Sequence, residues 1–330
     1  MNSSKKILLV APHYFNYDVF IKEHLEAKGY IVDLINDRPY DSNIFKAIIR
    51  TNRSIISFFL YRYYKYKILK KSVQEYKLIF VIQGEGLVPS FLKWLRIKYQ
   101  KTPMVFYLWD SLANKPGLQL NFPYFDRVIT FDPFDAQRFK IDFAALFFPQ
   151  NLKKQKKIKS KYDLSFVGSL HGDRGILIQL LKKNNPNLQF YTYLYSPSFW
   201  IFYLRRCFNK DISTVNFKDL HFKQLHYDKV QKIFCQSKVI LDIHNVNQSG
   251  LTIRTLESLA FDKKIATTNT NVQNYDFYHP NNIFILDRNN LNIPVSFLNS
   301  PFKKLNKEII NRYNLESFIL KTIGPYLSNK

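Results

Sequence analysis

Short apolar runs alternating with stretches of helical period restrict this chain to a layered α/β architecture. Lys6-Ile-Leu-Leu-Val-Ala11 ends at Pro12, residues 18–28 carry apolar side chains at helical spacing up to Gly29, and Tyr30-Ile-Val-Asp-Leu-Ile35 follows. A strand, a helix and a strand in that order make a βαβ unit with parallel strands. The alternation continues through helical stretches near 43–75 and 87–100 and apolar runs at 78–82, 104–108 and 127–131. Residues 1–150 therefore predict one open, doubly wound domain. The basic stretch Leu152-Lys-Lys-Gln-Lys-Lys-Ile-Lys-Ser-Lys161 has no apolar periodicity, which predicts a linker over 151–161. Strands at 163–167, 188–192, 239–243 and 264–268, with helical segments near 173–184, 225–236 and 251–262, predict a second α/β domain over 162–303. Residues 304–330 predict a C-terminal helix, which either stays with the second domain or crosses back to the first.

A chain of 330 residues is long enough for two packed cores. Its 49 Lys and Arg against 25 Asp and Glu give a formal charge of +24, a field that draws polyanions such as nucleic acid, anionic lipid or sugar nucleotides. Abundant Lys, Asn, Ile, Phe and Tyr beside few Gly is also what an AT-rich coding sequence produces, so the charge has a compositional reading as well. Cys207 and Cys235 fit neither a zinc spacing nor a disulfide framework, which favours a reducing compartment. After a basic start the apolar run Ile7-Leu-Leu-Val10 is too short for a signal peptide, and no run of about 18 apolar residues occurs to span a bilayer. The expected location is the cytoplasm, with peripheral contact at the inner face of the cytoplasmic membrane. Residues 57–67 and 193–206 interleave rings with cations, either as interfacial segments or as amphipathic core helices whose cations snorkel.

Ligands of doubly wound sheets bind outside the carboxyl ends of the strands, and two such domains in series leave a cleft between those ends. The chemically interesting residues fall after strands. His13 follows the first, Gly84-Glu85-Gly86 the third, Trp109-Asp110-Ser111 the fourth, Gly168-Ser-Leu-His171 the first of the second domain, and His244-Asn245 a later one. Between Gln248 and Asn269 a glycine turn, a helix carrying Arg254 and Glu257, and a strand succeed one another. Gly250 would let N–H groups at a helix start approach a phosphate. Arg254 and Glu257 share a helix face, one suited to a phosphate oxygen and the other to ribose hydroxyls; the same spacing also suits a surface ion pair.

Val167-Gly-Ser-Leu-His171-Gly-Asp-Arg174, Ser249-Gly250-Leu-Thr-Ile-Arg254-Thr-Leu-Glu257, and Phe106-Tyr-Leu-Trp-Asp110-Ser111 with Phe125-Asp126-Arg127 and Phe131-Asp132-Pro133 resemble bacterial glycosyltransferases of lipopolysaccharide and capsule assembly. These are related to the spore-maturation type and are expected to have the GT-B fold of two Rossmann-like domains. The resemblance implies a first domain that binds the acceptor and a second that binds a nucleotide sugar. It implies that Glu257 holds the ribose, whereas the carboxylate that such enzymes place eight residues earlier is Ser249 here. It also implies that Arg174 faces the diphosphate. Gly168, His171, Arg174, His244, Ser249, Gly250, Leu251, Thr252, Arg254 and Glu257 are thus the expected nucleotide-sugar-binding residues.

Charged side chains with the N–H groups of Gly250 and Leu251 would stabilise the leaving diphosphate without a metal, and no Asp-x-Asp pair suited to a divalent ion occurs. Neither metal nor other cofactor is expected. Asp132 before Pro133 reads as a helix N-cap. An acceptor hydroxyl must lose its proton as it attacks, and Asp110, His13 and Glu85 are the candidate bases. Asp110 and Glu85 each read equally as turn residues, His13 equally as a contact to acceptor or phosphate or as the partner of a backbone carbonyl, and His244 as a partner of Asp242 or of a local backbone group. The expected activity is sugar transfer from a UDP- or GDP-sugar to a lipopolysaccharide, O-antigen or capsular acceptor, lipid-linked or polysaccharide. Two alternatives are a nucleic-acid-binding protein, for which no motif is present and which is not expected, and a non-catalytic nucleotide or glycan binder.

Overall fold

The computed structural model of the protein describes residues 5–40, 45, 55–149, 159–208 and 215–328. Along the chain β1 (Lys6–Ala11), α1 (Tyr17–Ala27), β2 (Ile31–Asn36), α2 (Ser57–Lys70), β3 (Leu78–Ile82), α3 (Pro89–Lys98), β4 (Met104–Leu108), β5 (Arg127–Thr130), α4 (Pro133–Phe139) and β6 (Asp142–Phe143) come first. Then follow β7 (Tyr162–Ser169), α5 (Arg174–Asn184), β8 (Phe190–Tyr195), α6 (Phe199–Phe208), β9 (Leu220–His221), α7 (Tyr227–Cys235), β10 (Ser237–Asp242), α8 (Ile253–Ala260), β11 (Lys264–Thr267) and β12 (Ile283–Ile285). Four short helices end the chain: α9 (Val295–Asn299), α10 (Lys307–Asn311), α11 (Leu315–Thr322) and α12 (Gly324–Leu327). The strands form two all-parallel six-stranded sheets, in the orders β2-β1-β3-β4-β5-β6 and β12-β11-β10-β7-β8-β9.

By internal contacts the first compact unit comprises Met1–Gln150, Asn247–Gly250 and Tyr313–Lys330, and the second Asn151–Val246 and Leu251–Arg312. The basic stretch 151–158 lies outside the described residues, as do most of residues 41–54 in the first expected helical stretch. In the first unit every residue of β3 and β4 is buried, as central strands of a parallel sheet covered on both faces must be. Leu60, Tyr64 and Ile68 of α2 recur at four-residue intervals and join Phe91, Leu92 and Leu95 of α3 in that core.

In place of the single helix expected over 304–330, three short helices form. Asn306 and Asn314 each cap a new helix start through their side chains, and Pro325 lies at the start of α12. From Tyr313 onward the chain is part of the first unit. Phe318 of α11 packs on Phe80, Tyr107 and Phe147, and Arg127 donates to the carbonyls of Lys321 and Thr322 at the helix end, at 2.9 and 2.7 Å.

In both sheets the direction of winding reverses once. In the first, β2 and β3 lie on opposite sides of β1. In the second, β8 and β9 lie on one side of β7 while β10, β11 and β12 lie on the other. Each reversal opens a crevice at the carboxyl ends, between β1 and β3 and between β7 and β10, where such sheets take their ligands. The segments after β1, β3, β7 and β10 are those that carry His13, Glu85, His171 with Arg174, and His244.

Candidate functional site

At the β7/β10 crevice of the second unit, basic side chains converge on the loop from Gly168 to Arg174. The Arg174 guanidinium donates to the carbonyls of Ile243 (2.7 Å) and Ser169 (3.2 Å), and its Nη1 lies 2.6 Å from His171 Nε2. A guanidinium only donates, so His171 Nε2 must be the unprotonated nitrogen. Arg254 donates from Nε to Asp242 Oδ1 at 3.1 Å and from Nη1 to the Val167 carbonyl at 3.2 Å. Both guanidinium groups lie over the ring of buried Phe166, which adds cation–π attraction. A Cβ on Gly168 would come within 3.0 Å of Arg254 Nη1, so glycine there leaves room for the arginine.

Asp242 is fully buried and also accepts from Thr252, Thr255 and Thr267. Burial alone would raise its pKa; the Arg254 charge, the Thr252 hydrogen bond and Arg174 overcome that and hold the carboxyl below the usual carboxylate range. His244 takes Thr268 as its partner, not the expected Asp242 (Nδ1 to Oγ1, 2.7 Å). The same Oγ1 accepts from the His244 N–H at 3.2 Å and from Arg288 at 3.3 Å. With both lone pairs occupied, the hydroxyl donates to Nδ1 and the His244 ring proton resides on Nε2. Burial first, then Arg288 and Arg174 against the opposing pull of Asp242, lower the His244 pKa, which favours the neutral ring.

Arg254 and Glu257 share a helix but not their partners. Glu257 is only 4% exposed, and its Oε1 accepts from the Tyr227 hydroxyl at 2.7 Å. Sequence reasoning missed Tyr227, Thr268 and Arg288, which no local pattern marks. Thr252 flanks α8 but donates its hydroxyl to Asp242, and Leu251 is buried.

The expectations for Ser249 and Gly250 are corrected. Residues Asn247–Gly250 group with the first unit, and the compact turn-and-helix expected from Gly250 to Glu257 is divided at Gly250. Asp132 caps α4 by accepting from the Phe134 and Asp135 N–H groups, at 3.0 and 3.2 Å through Oδ1. Its Oδ2 accepts from the Ser249 N–H at 2.7 Å and the Gly250 N–H at 3.0 Å, and Ser249 Oγ bonds Oδ1. The Gly250 N–H is therefore directed at a buried carboxylate, not at a phosphate. A Cβ on Gly250 would lie 2.5 Å from Phe131 Cε2 and 2.8 Å from the Phe131 carbonyl, so close packing is what requires glycine.

In the first unit His13 follows β1 with its side chain 59% exposed, and its Nδ1 lies 3.0 Å from Oδ2 of Asp18, which is buried in the first turn of α1. Phe15 and Asn16 both take left-handed backbone (φ 47° and 63°), a rare turn for non-glycine residues that returns Asp18 to His13. A carboxylate can only accept, so Nδ1 carries the proton and Nε2 of the neutral ring is a base. Asp110 Oδ1 accepts from the Ser111 N–H (3.0 Å) and Asn114 Nδ2 (2.9 Å), which is the turn-forming role.

Glu85 is corrected as well. It is buried, with Oε1 2.9 Å from Lys115 Nζ and Oε2 3.3 Å from Arg38 Nη1, and of its flanking glycines Gly84 takes left-handed backbone (φ 57°) while Gly86 is closely packed. A Cβ at Gly86 would lie 2.5 Å from the Asp37 carbonyl. Neighbouring Asp37, pushed up to about 6 by burial against the pull of Arg38, accepts the Glu85 N–H at 3.0 Å. Among the described residues no cluster of His, Cys, Asp and Glu suits a metal ion, and no helix is long and apolar enough to cross a membrane.

No protein-family model and no curated protein matches the sequence. Solved structures do. The chain is similar to a glycosyltransferase from Rickettsia africae ESF-5, at 12% identity, 100% of both chains covered and a TM-score of 0.57. It is similar to sucrose-phosphate synthase from Thermosynechococcus elongatus, at 13% identity, 97% of both chains and 0.60. Anabaena Alr3699/HepE, solved with UDP and glucose, matches at 13% identity over 99% of this chain and 100% of its own, with a TM-score of 0.61. At such identities the likeness is one of fold, and with two parallel six-stranded sheets and interleaved helices this chain has the GT-B fold of those glycosyltransferases.

Proposed function

We propose that this chain is a glycosyltransferase that moves a sugar from a nucleoside diphosphate donor to a lipopolysaccharide, O-antigen or capsular acceptor without a metal ion. The observation that carries the reading is the gathering of Arg174, Arg254 and His171 at the end of β7, with His244 just after β10, at the crevice of the second sheet. As the acceptor oxygen attacks the anomeric carbon, the bond to the diphosphate breaks and the leaving group keeps the electron pair. Guanidinium groups fixed beforehand by carbonyls and Asp242, and the His244 ring Nε2–H fixed by Thr268, stabilise that charge without reorganising. The acceptor proton passes to His13 Nε2, oriented by Asp18. Glu257, set by Tyr227, takes the ribose hydroxyls. UDP-glucose in the HepE structure supports the donor class, and the likeness to the lipopolysaccharide outer core galactosyltransferase WaaB (TM-score 0.56, 12% identity) supports the acceptor class.

Thermal unfolding against UDP, GDP, CMP and ADP sugars tests the donor, because a ligand bound to the native state raises its midpoint. A UDP- or GDP-sugar should do so, and the reading is lost if none of the four does. Glu257→Ala should then weaken binding of that nucleotide about tenfold or more in calorimetry, the loss of a hydrogen-bonding carboxylate, and Tyr227→Phe by less.

A membrane-bound acceptor is supported by α2. Its inner face enters the core while Phe58 (69% exposed), Phe59, Tyr66 and Leu69 stay outside among Arg62, Lys67 and Lys70. Rings beside cations without a carboxylate suit an anionic lipid surface. Trp200, Tyr203 and Leu204 of α6 are likewise exposed. The protein should sediment with phosphatidylglycerol vesicles, and Phe58→Ser with Tyr66→Ser should release it. Equal sedimentation of that double variant would remove α2 from the contact.

A further inference from the structure

Arg288 stands just beyond β12, on the same edge of the second sheet as the donor residues, and the reading above gives it no role. Its Nη1 bonds Asp173 Oδ2, and its Nη2 donates to the His244 carbonyl at 2.6 Å and to Thr268 Oγ1 at 3.3 Å. It thus shares Thr268 and His244 with the donor cluster, and Asp173 is the residue before Arg174.

Two ion pairs in this cluster differ in character. Asp242, which holds Arg254, has a wholly buried side chain, whereas the Arg288 and Asp173 side chains are 22% and 36% exposed. A partly solvated pair is weakly held and can exchange partners with an entering anion. A guanidinium fork fits phosphate as well as it fits carboxylate. Asp173 opens α5 yet makes no side-chain cap bond to it, so capping does not account for the carboxylate.

We propose that Arg288 binds the diphosphate of the donor, and that the Asp173 carboxylate is a resident stand-in for that anion, holding Arg288 in place until a nucleoside diphosphate displaces it. The assignment rests on the donor reading above. It makes the two members of one ion pair act in opposite directions. Removing Arg288 removes a phosphate contact, whereas removing the charge of Asp173 removes both a competitor for Arg288 and a like charge beside the phosphates. A pair with only a structural role would weaken binding equally from either side.

Calorimetric titration with UDP and GDP, and with uridine and guanosine as phosphate-free probes, tests the assignment in the full chain. Arg288→Gln should weaken diphosphate binding about tenfold or more, as expected for one lost charge-assisted contact, and leave nucleoside binding unchanged. Asp173→Asn should tighten diphosphate binding several-fold. Unchanged UDP and GDP affinity in Arg288→Gln, equal loss for the nucleosides, or weakening in Asp173→Asn would overturn the assignment while the wild type still binds, leaving the donor reading in place. Wild-type protein that binds neither diphosphate overturns that reading itself. If Arg288→Gln does not fold, Arg288→Lys, weaker than wild type for the diphosphates alone, and Asp173→Asn decide the matter by the same signs.

Discussion

Asp132→Ala is expected to lower the stability of the first unit by about 3–5 kcal/mol, the sum of a lost helix cap and of buried donors left without acceptors. One carboxylate, 1% exposed, accepts from the N–H groups of Phe134, Asp135, Ser249 and Gly250. Alanine offers none of them an acceptor, and of the four the Phe134 N–H keeps another, Ser249 Oγ at 3.1 Å. Asp132→Asn retains one oxygen and should cost less than half as much. Urea unfolding followed by fluorescence reports the change, since Trp94 and Trp109 both lie in the first unit. A midpoint in Asp132→Ala within error of wild type would mean that the segment Asn247–Gly250 is not held by this carboxylate.

Half of that arrangement is legible in the sequence. Asp132 before Pro133 marks a helix start, because the residues that make a cap are adjacent. Its second role joins positions 117 and 118 residues apart, which no local pattern carries. The same division runs through the molecule. β1, β3 and β4 are legible because a central parallel strand must be apolar throughout, whereas β6, β9 and β12 are two or three residues long and carry no period. Arg254 stands out because it follows a glycine turn on a helix it shares with Glu257, and Arg174 because the family resemblance implies a basic residue after the glycine loop there. Arg288 follows β12, too short to read as a strand, and so goes unseen. Glu85 between two glycines looks open in sequence, and only the approach of Arg38 and Lys115 from other loops closes it. Asp18 is hidden by left-handed turns at Phe15 and Asn16, the first against the backbone preference of its residue type.

His13→Ala should lower kcat for sugar transfer by about 10²- to 10⁴-fold, the range for loss of a general base, with nucleoside diphosphate affinity unchanged. Asp18→Asn should lower it by less, since an amide oxygen can still accept the Nδ1 proton but no longer stabilises the imidazolium that forms. A structural histidine would predict a lowered unfolding midpoint instead, and the exposure of this ring argues against that. The same exposure allows a direct test: imidazole added to His13→Ala can reach the position of the lost ring and should restore part of the rate, which it cannot do for a packing defect. Asp110→Asn is the decisive comparison. Its Oδ1 holds the Ser111 and Asn114 turn, a role the amide can largely keep, so this variant should retain the larger share of activity. If Asp110→Asn loses more than His13→Ala, and imidazole restores nothing, the base is the carboxylate after β4 and not the imidazole after β1.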